Sequence, residues 1–208
     1  GGGLRRFGRA VLMPVVYEDT RQQAGKHESK HAWFAQHGMT LERVALTVNG
    51  HAANPAVAPA GDYCAEGSNV CVDTKASVDE VAGNINGKEH ERFIAEIERA
   101  ASWGYRLVIL VENELGYTNM GDVLRWENGH CTKCHKRRKT GKGGGCNPNG
   151  KGKCPRHGTR KPIQGARLYK AMGTIERRYG CRFEFCAPQD SARRICELLG
   201  VIVDDQRA

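Results

Sequence analysis

The chain has 208 residues, enough for one well-buried core plus a small accessory unit. Its 39% hydrophobic and 26% charged residues exclude fibrous and disordered classes. The longest apolar stretch, Leu107 to Val111, is too short to cross a bilayer, and the net charge of +9 predicts a surface that attracts polyanions.

The first ten residues are basic, and the apolar run after them is short and lacks a cleavage-site pattern, so residues 1–10 read as a flexible leader. Val11 to Glu18 is a continuous apolar run with acidic residues at its end, the pattern of a strand buried on both faces. Lys26 to His37 suits a helix stopped by Gly38. Its His27 and His31 lie one turn apart and read as a solvated face, with the alternative that they overhang a cleft. Arg43 to Val48 alternates like a strand, and Asn54 to Gly61 is a loop.

Val70 to Lys75 reads as a strand. Ser77 and Glu80 then stand at capping-box spacing for a helix from Val78. Glu89 to Trp103 carries Phe93, Ile94, Ile97 and Ala101 at helical spacing. Arg106 to Glu112 is the most apolar strand, Asp122 to Asn128 a short helix, Pro162 to Arg178 a helix, Arg182 to Cys186 a strand and Ser191 to Leu199 a final helix. Trp33, Trp103 and Trp126 read as packing residues. The alternation predicts an α/β fold, a central mixed β-sheet flanked by helices.

His130 to Lys161 breaks this pattern, being Gly, Lys, Arg and Cys with almost no large apolar residue. Residues 129–161 therefore read as an insertion into a core made of 11–128 and 162–208. Four of the nine cysteines fall here: Cys131-x-x-Cys134, Cys146 and Cys154. A segment that cannot build an apolar core gains folding free energy from a tetrahedral thiolate site, so the spacing points to structural Zn²⁺ in a zinc-ribbon-like unit. His135 and His157 are also in reach, and Cys154-x-x-His157 has chelate spacing, so one histidine could replace a cysteine. An odd cysteine count with metal-ligand spacing suits a reducing cytoplasm. Cys64, Cys71, Cys181, Cys186 and Cys196 stand in apolar surroundings and read as core packing. The density of cations around the zinc motif, Arg137, Arg138 and Lys139 foremost, predicts contact with DNA phosphates.

The most informative constellation is Gly61-Asp62 followed by Asp73-Thr74-Lys75. Alternate residues of a strand share a face, so Asp73 and Lys75 point one way and Thr74 the other. Two carboxylates suit a hard divalent cation such as Mg²⁺ or Mn²⁺, and a nearby lysine suits the orientation of water or the stabilisation of charge on phosphorus.

The segment Gly61-Asp62…Asp73-Thr74-Lys75-Ala76-Ser77-Val78-Asp79 resembles the G-D…E-R-K-x-x-x-D signature of the XPF-type nucleases, a branch of the PD-(D/E)XK superfamily, closest to small bacterial and phage-encoded members. Asp19-Thr20-Arg21-Gln22 resembles that family's D-x-R-E element. The resemblance implies a restriction-endonuclease-like core and a metal-dependent DNA endonuclease selective for branched or non-B-form DNA. It further implies metal held by Asp19, Asp62 and Asp73, with Lys75 serving the nucleophile. Asp79 would support the site, Arg21 would lie near DNA, and the nuclease domain would pair as a homodimer. No organic cofactor and no membrane enter this reading. Asp73 and Thr74 replace the family's Glu and Arg, and Gln22 its second Glu, which leaves the number of catalytic metals open. A catalytically silent DNA-binding or scaffold protein of the same fold is the alternative, and a zinc-dependent RNA-binding module the third reading.

Overall fold

The computed structural model describes residues 15–21, 25, 27–48, 51–52, 60–130 and 162–203. The expected leader, residues 11–14 of the expected first strand, Gln22, the greater part of the Asn54–Gly61 loop and the cysteine and arginine motif of the expected insertion lie outside the described residues.

Eight strands and five α-helices are described: β1 Val15–Asp19, α1 Glu28–Gln36, β2 Thr40–Val44, β3 Thr47–Val48, β4 His51–Ala52, β5 Tyr63–Ala65, β6 Val70–Lys75, α2 Val78–Asn86, α3 His90–Ser102, β7 Arg106–Glu112, α4 Gly165–Tyr179, β8 Arg182–Cys186 and α5 Ser191–Leu199. Short 3-10 turns cover Met120–Arg125 and Pro188–Asp190. The main sheet runs β2-β1-β5-β6-β7-β8, while β3 and β4 form a separate small hairpin. β1 is parallel to β2, β6 to β7 and β7 to β8. β5 alone runs against its two neighbours. Five strands therefore end at one edge, and the short reversed strand starts there.

The expectation of a mixed sheet between helices is met, and strands Val70–Lys75, Arg106–Glu112 and Arg182–Cys186 fall where the apolar patterns place them. Three details differ. The expected strand at Arg43–Val48 is split: pairing with β1 uses Thr40–Val44, and the remainder turns into the β3–β4 hairpin. Three-residue β5 carries too few residues to show an alternation and was not expected. The segment near Asp122 is a 3-10 turn rather than an α-helix, capped by Asn119, whose side chain accepts from the Gly121 amide at 2.9 Å.

Burial divides by sheet face. On one face Cys64, Cys71, Ile109 and Phe183 meet Val81, Ile97, Leu168 and Met172 of α2, α3 and α4. On the other, Val16, Tyr63, Val72 and Leu110 meet Phe34 of α1 and Ile195 and Leu199 of α5. Alternation along each strand thus dictates which face a polar residue at the sheet edge will serve. Cys64, Cys71, Cys181, Cys186 and Cys196 are all buried and not joined in disulfides, as expected of core residues. Trp126 is buried, but Trp103 is 49% exposed: it caps the end of α3, past the last residue packed against the sheet. Trp33 is partly buried and stacks on His37 at 3.9 Å.

Residues on both sides of 131–161 belong to one apolar cluster, Val111, Val123 and Trp126 with Ile163, Leu168 and Phe185. The two flanks of that segment meet there: Asn128 Nδ2 donates to the Ile163 carbonyl at 3.1 Å and Gly165 N to the Trp126 carbonyl at 3.2 Å. A Cβ on Gly165 would stand 2.3 Å from the Val123 carbonyl oxygen, so only glycine permits this closure. Among the described residues no helix is long and apolar enough to cross a membrane.

Candidate active site

β6 carries Asp73 and Lys75 on the face it shares with α2, α3 and α4, because both alternate with the buried Cys71. Lys75 Nζ donates to Asp73 Oδ1 at 2.8 Å. It also lies 2.7 Å from Asp73 Oδ2, yet that buried oxygen receives no hydrogen bond. One carboxylate oxygen is thus left with attraction but without a directed donor.

Asp62 reaches the same place from the start of β5. Gly61 before it has φ +77, and a Cβ there would stand 2.7 Å from the Val72 carbonyl oxygen. Glycine is required on both counts, and the turn it makes lets the Asp62 amide donate to Val72 at 2.7 Å. Asp62 Oδ2 then accepts from the Thr74 amide at 2.8 Å and from the Thr74 hydroxyl at 2.6 Å. The expectation that Thr74 points away from the site is corrected by this pair of bonds. β5 begins only at Tyr63, so Asp62 lies just ahead of the strand, within reach of the hydroxyl.

Sequence reasoning also missed Glu96. It lies on α3 among Phe93, Ile97 and Ala100, the residues that turn toward the sheet, and its Oε1 accepts from the Gly61 amide at 3.1 Å. A carboxylate placed on the apolar stripe of a helix is the signal that could have found it.

These acids feel one another. Burial, opposed by Thr74 and Lys75, pushes Asp62 up to about 6. Burial, reinforced by Asp62 and Glu96 and opposed by Lys75, holds Asp73 well above the usual carboxylate range. Burial acts to lower the Lys75 ammonium, but the charge of Asp73, followed by Asp62 and Glu80, more than offsets it and Lys75 is raised. Asp62 and Asp73, each also acted on by Glu96, share one nearby ammonium, an excess of negative charge that favours retention of a proton or capture of a further cation.

The remaining expected site residues divide. Asp19 is tied to Asp62 through the backbone, its amide donating to the Asp62 carbonyl at 2.9 Å. Its carboxylate is engaged elsewhere: Oδ1 accepts from the Arg21 amide at 3.0 Å, and Oδ2 forms an ion pair with the Arg21 guanidinium, whose Nε donates at 2.8 Å. Arg21 stays more than half exposed while serving Asp19. Asp79 is exposed on the first turn of α2 and is not drawn into the group. The capping box is half made: Ser77 Oγ accepts from the Glu80 amide, but Glu80 Oε2 accepts from Ala76 rather than Ser77. Arg137, Arg138, Lys139, Cys131, Cys134, Cys146, Cys154, His135 and His157 lie outside the described residues.

Among the described residues no group of three or more His, Cys, Asp or Glu side chains is arranged to hold a metal ion. The expected triad of Asp19, Asp62 and Asp73 is therefore not gathered as one ligand set. Asp62 and Asp73 nevertheless fit a hard divalent cation that keeps most of its waters, because the donors are all oxygen and Asp73 Oδ2 has no hydrogen bond to surrender.

At the same sheet edge, on the opposite face, stands a second polar group. Glu18 is fully buried and accepts from the Tyr63 hydroxyl at 2.8 Å. It also meets His31 Nε2 at 2.9 Å and the Arg43 guanidinium at 3.0 Å. Lys30, also buried, pairs with Glu112 at 2.5 Å, and the Ser191 hydroxyl donates to Glu112 at 2.7 Å. His31 is thus bound to a buried acid, and the reading of it as solvated is corrected.

The sequence matches no protein-family model and no curated protein.

Proposed function

We propose that this chain is a divalent-metal-dependent DNA endonuclease acting on branched or otherwise non-B-form DNA. The observation that carries the reading is the meeting of Asp62, Asp73 and Lys75 at one sheet edge, with an oxygen of Asp73 buried beside the ammonium and free of any hydrogen bond. Five parallel strands end at this edge, the usual position of ligand crevices in open α/β sheets.

In this reading Asp62 and Asp73 hold Mg²⁺ or Mn²⁺. The ion supplies polarisation of the scissile phosphate and an acidified water. Thr74 fixes the orientation of Asp62 through two donors, and the Gly61 turn, pinned by Glu96, sets its position. Lys75 keeps its proton and presents a positive charge where negative charge builds on the phosphate. Asp19 serves by orienting Arg21, a cation with both the charge and the exposure to meet a DNA phosphate.

Cys131, Cys134, Cys146 and Cys154, with His135 or His157 as substitutes, are proposed to bind structural Zn²⁺, on sequence spacing alone. Arg137, Arg138 and Lys139 are proposed to meet DNA phosphates, on their clustering in sequence. Metal analysis of the purified protein is expected to give about one zinc per chain.

The test is a panel of linear duplex, single-stranded and branched DNA incubated with the purified chain, Mg²⁺ or Mn²⁺, and in parallel with chelator. Cutting that requires the ion and favours a branched substrate supports the reading. Absence of cutting across the panel, or cutting indifferent to chelator, rejects it.

A further inference from the structure

Among the described residues, most helix arginines outside one helix are matched by acids. In α3, Arg92 pairs with Glu89 and Arg99 approaches Glu96; in α5, Arg193 pairs with Asp190, and Arg194 with Glu184 and Glu197. Helix α4 differs. Arg167, Lys170, Arg177 and Arg178 are exposed, and none has a carboxylate partner among the described residues. Its one acid, Glu176, is turned inward and accepts from the Phe183 amide at 2.9 Å.

At about 100° per residue the four cations fall within an arc of roughly 100° and span about 16 Å of helix. The opposite side of α4 is fixed to the core by Leu168, Met172 and Ile175, so the stripe has one orientation. It belongs to the sheet face that also carries Asp73 and Lys75. No aromatic ring lies within the stripe to stack an unpaired base; Tyr179 packs against the core and is covered by Arg178 at 5.2 Å.

We infer that the outer face of α4 is a docking surface for the phosphate backbone of duplex DNA, with Arg167, Lys170 and Arg177 as its phosphate contacts. Cations on one helix face with no carboxylate partner among the described residues present charge without the competition that the paired arginines of α3 and α5 meet from their own carboxylates. A length of about 16 Å spans four to five phosphates of one strand at 3.4 Å per step along the axis. The surface gives affinity and register, not sequence preference. The choice of DNA rests on the nuclease reading above; the stripe itself does not.

The test measures fluorescence anisotropy of a labelled duplex with the full chain, in chelator so that no cutting occurs. The triple variant Arg167→Gln/Lys170→Gln/Arg177→Gln is expected to bind roughly tenfold more weakly, with a log–log salt dependence less steep by about two to three, each phosphate contact contributing about 0.9. Its thermal melt should match the wild type, since all three side chains are exposed. The control Lys88→Gln/Arg92→Gln/Arg193→Gln removes the same charge from carboxylate-paired positions and is expected to change affinity by under about twofold. Equal weakening by the two variants, or no weakening by the first, overturns the surface. Displacement of the DNA by polyglutamate or by duplex RNA at equal concentration overturns the choice of partner. Because binding is read without catalysis, a failed stripe leaves the cleavage reading standing, and a dead active site leaves the stripe standing.

Discussion

The hydroxyl and the amide of Thr74 converge on a single oxygen of Asp62, at 2.6 and 2.8 Å. This joins the start of β5 to the end of β6 just where Asp73 and Lys75 lie, and it makes Thr74 part of the site's architecture. Replacing Thr74 with Val removes the hydroxyl donor and keeps the shape. Stability should fall by about 1.5–3 kcal/mol, the range for a hydrogen bond to a charged acceptor. Thr74→Ser should retain most of it. Urea melts of the two variants, with cleavage rates alongside, check this; equal stability of Val and Ser would deny Thr74 its role.

Burial gives Asp62 a particular dependence on pH. Its folded-state pKa of about 6 lies above the ordinary 3.8, so between those values the folded chain binds more protons than the unfolded one. Stability contributed by the protonated form is complete below about pH 4, falls as pH rises toward 6, and then levels. Asp62→Asn keeps an acceptor for Thr74 and removes this loss. In chelator it should be more stable than wild type above pH 6, by at most about 3 kcal/mol and less where solvent reaches the group. Melting curves from pH 4 to 8 decide; a wild type that gains stability across that window would contradict the assignment.

Glu96 tests the Gly61 turn. Glu96→Gln retains an acceptor for the Gly61 amide, whereas Glu96→Ala leaves that amide without one. The alanine variant should lose about 1–2 kcal/mol and the glutamine variant little. Hydrogen exchange at Gly61 should quicken in the first variant only.

On the opposite face Glu18 is a fully buried carboxylate facing Tyr63, His31 and Arg43. Glu18→Gln leaves Arg43 and His31 without their shared anion, but both are more than a third exposed and water can take its place, so the cost should be about 1–2 kcal/mol. Thermal melting is the readout, and a neutral effect would show the network to be dispensable.

Long elements were legible because their signal is periodic. β7, β8 and α5 appear where apolar spacing puts them, and Gly61-Asp62 was singled out before its geometry explained the glycine. β5 was missed because three residues cannot display a period, and its reversed direction depends on pairing with partners distant in sequence. Asp19 and Asp62 were grouped correctly at the level of the backbone but not of the carboxylates. The Arg21 ion pair, formed two residues away, competes for Asp19, and a motif does not reveal which partner wins. Glu18 and Asp19 are neighbours that serve opposite faces, a consequence of strand alternation that was available from the sequence and not drawn from it.

The most direct measurement is the rate at which branched DNA is cut in Mn²⁺ by wild type and by Asp73→Asn, at protein concentrations that saturate binding for both. Asn at this position keeps size and polarity while removing the charge that faces Lys75. Wild type is expected to cut and the variant to lose at least about a hundredfold in rate, a barrier increase of about 2.7 kcal/mol, with DNA binding preserved. Equal rates for the two proteins would contradict it.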